Sequence, residues 1–323
     1  MLFAPKRPET RRFTKKRNML AYLISAYRDP AHLARLIGAL DDKADFYVHI
    51  DANTDDAPFR AALPSKVVFV TRHRVSWGGW EQVEYQREML KAALESGRPY
   101  SHVVCLSGQD YPLWSNRRIR EYFAANADRE IICGYNITRG TDEGQRKKVA
   151  CIHPFRDLNM HSQWLKNKII VASRNVLKLL GIRRKAQVYI GGKPKDVFFG
   201  SDYWALTLPC ARHVLETLEN EPRMVNYFRR SFVPSELCIQ TIVFNSPFAE
   251  KALLHEGKYP GLTALTPLHF IDYGACIKVL TLDDLPRLTE RGKMFCRKVV
   301  TGPSDALADE IDRRRNEEKQ NRQ

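Results

Sequence analysis

The sequence predicts an α/β fold built on a mostly parallel sheet with helices on both faces. Three observations carry that reading. Apolar runs of strand length alternate with helical patterns, the helical patterns have their own start and stop signals, and polar residues stand where the strands end. The chain has 323 residues, of which 44% are hydrophobic, enough to bury a sizeable core in one large domain or two ordinary ones.

MLAYLISAY, residues 19–27, is an apolar run of strand length, and Asp29-Pro30 then opens a helical pattern with Leu33, Leu36, Ile37 and Leu40 on one face. FYVHID is a second strand and KVVFV a third. SWGGWEQVEYQREMLKAALESG has glycines before it, helical spacing within it and a glycine at its end, which predicts a long helix. HVVCLSGQDYPL is a further strand running into a loop. A parallel sheet of this kind binds ligands outside the carboxyl ends of its strands. The polar residues there are Tyr27 and Arg28, His49 and Asp51, and Ser107 to Asp110, enough for a nucleotide-sized site.

Residues 139–196 form a basic, partly amphipathic insertion. Within it WLKNKIIVASRNVLKLLG is helical, with Leu165, Ile169, Ala172, Val176, Leu179 and Leu180 along one side, and it stops at Gly181 before Arg183, Arg184 and Lys185. It reads either as an ordinary surface helix or as one lying on a membrane or an acceptor. Alternation resumes with DVFFGSDYWALT, a helix near 209–219, and FVPSELCIQTIVFNSP. The last 15 residues carry five acids and five bases with almost no apolar pattern, which predicts a solvated helix or frayed tail. The expected organisation is a basic flexible tail (1–18), a single domain (19–300) and a charged C-terminal tail (301–323).

The net charge of +15 is concentrated. Residues 1–18 hold seven basic and one acidic side chain, residues 139–200 hold fourteen basic and four acidic, and the remainder is close to neutral. No helix-turn-helix, zinc finger or aromatic-flanked RNA motif accompanies these patches, so no nucleic-acid partner is expected; anionic membrane surfaces or phosphorylated substrates explain them. The seven cysteines are never closer than 18 residues apart, which excludes a Cys-x-x-Cys motif and predicts reduced thiols in a cytoplasmic compartment. No apolar run reaches the roughly 20 residues of a membrane span, so neither an anchor nor a secretory signal is expected.

Gly-x-Gly-x-x-Gly and Walker A loops are absent, which argues against dinucleotide enzymes and P-loop ATPases. Seven blocks stand in order instead: AYLISAYRDP, FYVHIDANT, VSWGGWEQVE, VVCLSGQDYPL, FFGSDYWALT, VPSELCIQTIVFNSP and KMFCRKV. Together, over about residues 19–300, they resemble the core-2/I-branching β-1,6-N-acetylglucosaminyltransferases and the related peptide O-xylosyltransferases. The resemblance implies a GT-A-like domain and an inverting transfer from UDP-N-acetylglucosamine or UDP-xylose that needs no cofactor and no divalent metal. The absence of an Asp-x-Asp pair, the usual metal-holding motif of GT-A transferases, fits that implication.

Matched to the family's pattern, Asp51 corresponds to a uracil or ribose contact, with Ala26 and Tyr27 at the strand end beside it. Trp77 corresponds to a donor-side aromatic and Asp110 to an acid near the sugar. Ser201, Asp202, Tyr203 and Trp204 fall where the family lines its acceptor side. Glu236 matches the general base, and Pro234 and Ser235 before it are helix-start signals, so a carboxylate complementing a helix dipole is the competing reading. Arg297 and Lys298 match the basic pair on the diphosphate, where fixed cations would do a metal's work. The chain departs from the family at LHFIDYG, where His269 stands in place of an arginine. Either His269 binds phosphate when protonated, or Lys278 or Lys293 replaces it, or activity is weaker.

The expected protein is therefore a polysaccharide-building transferase acting on a glycan or glycolipid of bacterial type, cytoplasmic and peripheral to the inner face of an anionic membrane. Two other readings stay open at this point. One is a nucleic-acid-binding or scaffold protein that keeps the fold after losing catalysis; the other is a retaining, metal-using transferase.

Overall fold

The computed structural model describes residues 19–320 apart from Asp157, Asn159, His161 and Ala275, so the basic opening segment 1–18 lies outside the described residues. β1 (Met19–Ala26), α1 (Pro30–Leu40), β2 (Ala44–Ile50), a short α2 (Ala57–Ala62), β3 (Val68–Phe69), α3 (Glu81–Glu95) and β4 (Tyr100–Ser107) follow in the alternation read from the sequence. β5 (Asp110–Pro112), α4 (Asn116–Ala125), β6 (Cys133–Asn136), α5 (Glu143–Ala150), α6 (Gln163–Leu179), and the hairpin of β7 (Gln187–Ile190) and β8 (Lys193–Asp196) come next. The chain continues through β9 (Phe198–Phe199), β10 (Ala205–Thr207), α7 (Leu208–Asn220), α8 (Pro222–Arg229), a 3-10 turn (Pro234–Glu236) and α9 (Cys238–Phe244). β11 (Leu253–His255), β12 (His269–Ile271), α10 (Leu285–Glu290), β13 (Phe295–Arg297) and α11 (Asp305–Gln320) complete it.

The central sheet has the order β10–β4–β1–β2–β3, parallel except for the edge strand β10. Side chains of β1 alternate across it: Ala21 and Leu23 join the apolar cluster of α3 and α7, while Leu20, Tyr22 and Ile24 join that of α1. Helices thus cover both faces, as expected of a parallel sheet. α1 starts where the sequence places it because the Asp29 carboxylate accepts from the His32 N–H at 3.0 Å and Pro30 pre-sets the first turn. Its predicted face, Leu33, Leu36, Ile37 and Leu40, is buried.

Two registers place the functional end of the sheet. Ala26 pairs with Ile50 and Ser25 with Ser107, so the carboxyl ends of β1, β2 and β4 finish at one level. β4 then turns sharply past β1, and a Cβ on Gly108 would stand 2.7 Å from that of Ala26, so only glycine fits there. In the small sheet β12–β13–β5, Arg297 is registered opposite Asp110. All seven cysteines are free thiols. Among the described residues no helix is long and apolar enough to cross a membrane.

Of the segment read as a charged tail, 301–323, the described residues as far as α11 do not match that description. α11 buries Leu307, Ala308 and Ile311, and Arg315 donates to the carbonyls of Trp114 and Ala39 at 2.9 and 2.7 Å. Charged side chains cover the outer side of a helix docked by this narrow apolar edge; Arg35 of α1 pairs with both Asp309 and Asp312. Ile311→Ala is expected to destabilise the protein by about 2–4 kcal/mol in chemical denaturation, the usual effect of truncating a buried isoleucine. A loosely attached tail would give no change.

Candidate active site

A cleft of about 510 Å³ opens at the carboxyl ends of β1, β2 and β4, a volume ordinary for a ligand site. Of the residues singled out from the sequence, Ala26, Tyr27, Asp51, Trp77, Ser201, Asp202, Tyr203, Glu236, Arg297 and Lys298 all line it. Asp51 Oδ1 accepts from the Asn53 and Val75 N–H groups at 2.9 and 3.2 Å, which shapes the loop after β2. Its Oδ2 makes no hydrogen bond among the described residues. Trp77 is 73% exposed at the lip, edge-on to Phe232 at 5.4 Å, so it does not pack the sheet. His49 accepts from the His73 N–H at 2.9 Å, and burial and the neighbouring His73 push its pKa down to about 3, so it is neutral.

The cationic wall is fixed from beneath. Arg297 Nη1 donates to Asp110 Oδ1 at 3.0 Å, while Asp110 Oδ2 accepts from the Ser107 N–H at 2.7 Å and from His269 Nε2 at 3.0 Å. Burial would push the Asp110 carboxyl up, but His269, Arg297 and the Ser107 N–H outweigh it and hold it below the usual range. At His269 burial wins over Asp110 and lowers the pKa, so the imidazole is neutral and donates its Nε2–H to an ionised carboxylate. Lys298 stands beside Arg297; burial and the Arg297 charge lower its pKa, and it forms no salt bridge among the described residues.

The opposite charge comes from Asp202 and Glu236. Glu236 sits in the 3-10 turn before α9, not in the first turn of that helix. Leu237, at φ −121° and ψ −47°, separates the two, so the helix-dipole reading loses its geometry. The turn follows Val233, held at φ 49°, a strained setting for a β-branched residue. Burial, and then the Asp202 charge, push the Glu236 carboxyl up to about 7, although Lys148 Nζ, 3.5 Å away, pulls it back. Burial also raises Asp202, whose Oδ2 accepts from Ser235 Oγ at 3.2 Å. Asp202 Oδ1, both amide atoms of Gln86 and Arg297 Nε are buried at this cleft and meet no partner with good hydrogen-bond geometry among the described residues. Polar atoms of this kind at a cleft are available to hydrogen-bond a ligand or water.

Three expected site residues do not line the cleft. Asp110 is fully buried and acts on the site only through Arg297, because its antiparallel pairing with β13 turns it inward. His269 is 1% exposed, with its ring against those of Tyr203 and Phe295 at 4.3 and 5.0 Å, and it cannot reach a phosphate. Its proposed substitutes are engaged elsewhere: Lys278 with Asp284, and Lys293 with the carbonyls of Thr266 and Pro267. Trp204 is fully buried with Val83 and Met89 of α3, since its carbonyl accepts from the Cys105 N–H at the sheet edge and the indole fills the core. The sequence reading missed Lys148, one of a run of basic residues whose ammonium turns inward over the Phe199 ring at 3.5 Å. It also missed Gln86, Tyr85 and Tyr273, which carried no motif. Among the described residues no group of three or more His, Cys, Asp or Glu is arranged to hold a metal ion.

Comparison with known proteins bears on this geometry. The chain is 26% identical over 208 residues to the N-acetyllactosaminide β-1,6-N-acetylglucosaminyl-transferase of Homo sapiens, covering 61% of this chain and 46% of that one. It is 27% identical over 146 residues to a probable β-1,3-galactosyl-O-glycosyl-glycoprotein β-1,6-N-acetylglucosaminyltransferase 7 of Sus scrofa, covering 43% and 33%. It is 22% identical over 242 residues to the xylosyltransferase oxt of Drosophila melanogaster, covering 72% and 25%. The chain thus spans between a quarter and just under half the length of these relatives. Residues 20–265 match the family described as Core-2/I-Branching enzyme, a span that includes Glu236 and ends before Arg297 and Lys298. That span is well over half of the 323 residues, and the chain belongs to the Core-2/I-Branching enzyme family.

Proposed function

We propose that this protein moves N-acetylglucosamine or xylose from a UDP-sugar to a hydroxyl of a glycan or glycolipid, with inversion and without a divalent metal. The carrying observation is that Glu236, a recessed carboxylate with its pKa raised towards neutrality, shares one cleft with the fixed cations Arg297 and Lys298. The printed activities of the relatives, acetylglucosaminyl and xylosyl transfer, support the choice of donor.

In this mechanism Glu236 accepts the acceptor's hydroxyl proton as that oxygen attacks the anomeric carbon from the face opposite UDP. The bond from the anomeric carbon to the diphosphate oxygen breaks, and Arg297 and Lys298 stabilise the charge left on UDP, supplying what a divalent ion gives in other transferases. Asp51 Oδ2, Tyr27, Ala26 and Trp77 form the nucleoside end. Ser201, Asp202 and Tyr203, with the Gln86 amide, offer hydrogen bonds to sugar hydroxyls.

Glu236→Gln keeps the size of the side chain but cannot take a proton. It is expected to retain UDP binding in a thermal-shift assay while losing roughly 100-fold or more in transfer rate. Near-normal transfer by this variant would place the base elsewhere.

Because the base must be ionised and its pKa is raised, the wild-type rate is expected to fall as pH drops through about 7. Lys148→Met removes the cation that holds that value down, so the acid limb of the pH–rate profile should move to higher pH. An unmoved limb would separate Lys148 from the base.

Lys298→Ala is expected to lower turnover ~100-fold with little change in unfolding midpoint. Chelator should leave wild-type transfer intact, and its abolition would show that the cations alone do not suffice.

A further inference from the structure

The helix α6 presents a surface that the catalytic reading does not use. Successive residues turn by about 100°, so Leu165, Ile169, Ala172, Val176 and Leu179 share one side of it. The helix packs on a different side, through Lys166, which is buried, and Ile170, Ser173 and Leu177, which are half-buried. Lys166 Nζ donates to Ser76 Oγ at 2.7 Å. Ile169 of this stripe is half-buried, but its C-terminal part and the adjoining Leu180 are left in solvent: Val176 is 54% exposed, Leu180 64% and Leu179 87%. Trp164, at the start of the helix, is 69% exposed.

The stretch of sequence that carries this stripe is charged with one sign. Between residues 158 and 195 there are nine lysines and arginines and no aspartate or glutamate. Lys168, Arg174, Lys178, Arg183 and Lys185 form no salt bridge among the described residues. An aliphatic stripe inside an uncompensated basic field needs an occupant that is apolar and anionic together. A second copy of the chain would bring two basic fields face to face. Nucleic acid would satisfy the cations and leave Leu179 and Leu180 in water. The opening segment 1–18 is itself basic, at seven positive to one negative, and does not complement the patch.

We propose that α6 docks the protein on an anionic lipid bilayer, with Val176, Leu179 and Leu180 in the interface and the surrounding lysines and arginines on the headgroups. The helix lies next to the cleft: Ser76, which it contacts, precedes Trp77 of the lip, and Arg156 Nη1 donates to the Trp77 carbonyl at 3.0 Å. Leu179 lies thirteen residues along the helix from Lys166, so docking through α6 would hold the cleft within about 20 Å of the membrane surface. Taken with the transferase reading, on which this last step rests, the acceptor is a saccharide carried on a lipid.

The test compares the full chain with its Leu179→Glu/Leu180→Glu variant in co-sedimentation with phosphatidylcholine vesicles, with and without phosphatidylserine. Both positions are already exposed, so the variant should unfold at the wild-type temperature. The wild type should sediment with the phosphatidylserine vesicles and the variant should bind them roughly tenfold or more weakly. Equal binding by the two proteins would overturn the proposal, because the remaining basic charge would then suffice. Failure of the wild type to bind would overturn it too, as would stripe-dependent dimerisation seen by light scattering without lipid. Sedimentation needs no sugar transfer, so failure here leaves the assignment of Glu236 standing.

Discussion

The carboxylate of Asp110 is the constraint from which the site is built. It joins the N–H of Ser107 at the end of β4 to His269 of β12 and to Arg297 of β13, segments as much as 187 residues apart. A charge buried this deeply is tolerated only when paired and hydrogen-bonded, and removing one partner of such a pair leaves the other uncompensated. The ion pair is thus better understood as fixing register than as adding net stability. It holds β13 against β5 at the one position that delivers Arg297 to the cleft wall. Arginine suits that position because it stays charged under burial and carries more donors than Asp110 uses.

The same carboxylate explains why His269 is tolerated where the family pattern has an arginine. A second guanidinium at 269 would lie at a position that is 1% exposed, between the rings of Tyr203 and Phe295. A neutral imidazole satisfies Asp110 with one hydrogen bond, stacks on Phe295 and lies tilted against Tyr203, so Asp110 keeps its formal charge for Arg297. The positive charge of the cleft then falls on consecutive residues, Arg297 and Lys298, and not on a dispersed set.

Much of this was legible locally. The alternation of strands and helices, the cap at Asp29 and the polar strand ends come from patterns of a few residues, and they located β1 to β4, α1 and the cleft. What was not legible depended on distant pairing or on where a window begins. The order of SGQDYPL shows that Asp110 follows a strand end, but only its register with Arg297 turns it under the floor. In FFGSDYW nothing in sequence distinguishes Asp202, which enters the cleft, from Trp204, which enters the core. Lys148 belongs to a basic run that composition treats as one surface patch. α11 did carry a signal: Leu307, Ala308, Ile311 and Arg315 lie along one helical edge, but the last 15 residues begin at 309 and omit its first half.

On the proposed mechanism, the two ends of the cleft meet opposite demands by the same physical means. A leaving diphosphate needs charge that never titrates, whereas a general base must gain and lose a proton near the working pH. Burial disfavours the charged form of either group, but a guanidinium keeps its proton throughout whereas a carboxylate can take one up. At Arg297 the permanent charge is compensated by its buried neighbour Asp110, which is of opposite sign and is itself held ionised by His269 and the Ser107 N–H. Glu236 has a like charge beside it in Asp202, and burial and repulsion act in the same direction until Lys148 checks them. Residue type makes Arg297 a permanent charge, and the sign of the neighbouring carboxylate compensates it there while readying Glu236 as a proton acceptor. The polar atoms of Asp202, Gln86 and Arg297 that meet no partner with good hydrogen-bond geometry among the described residues are available to a bound sugar nucleotide.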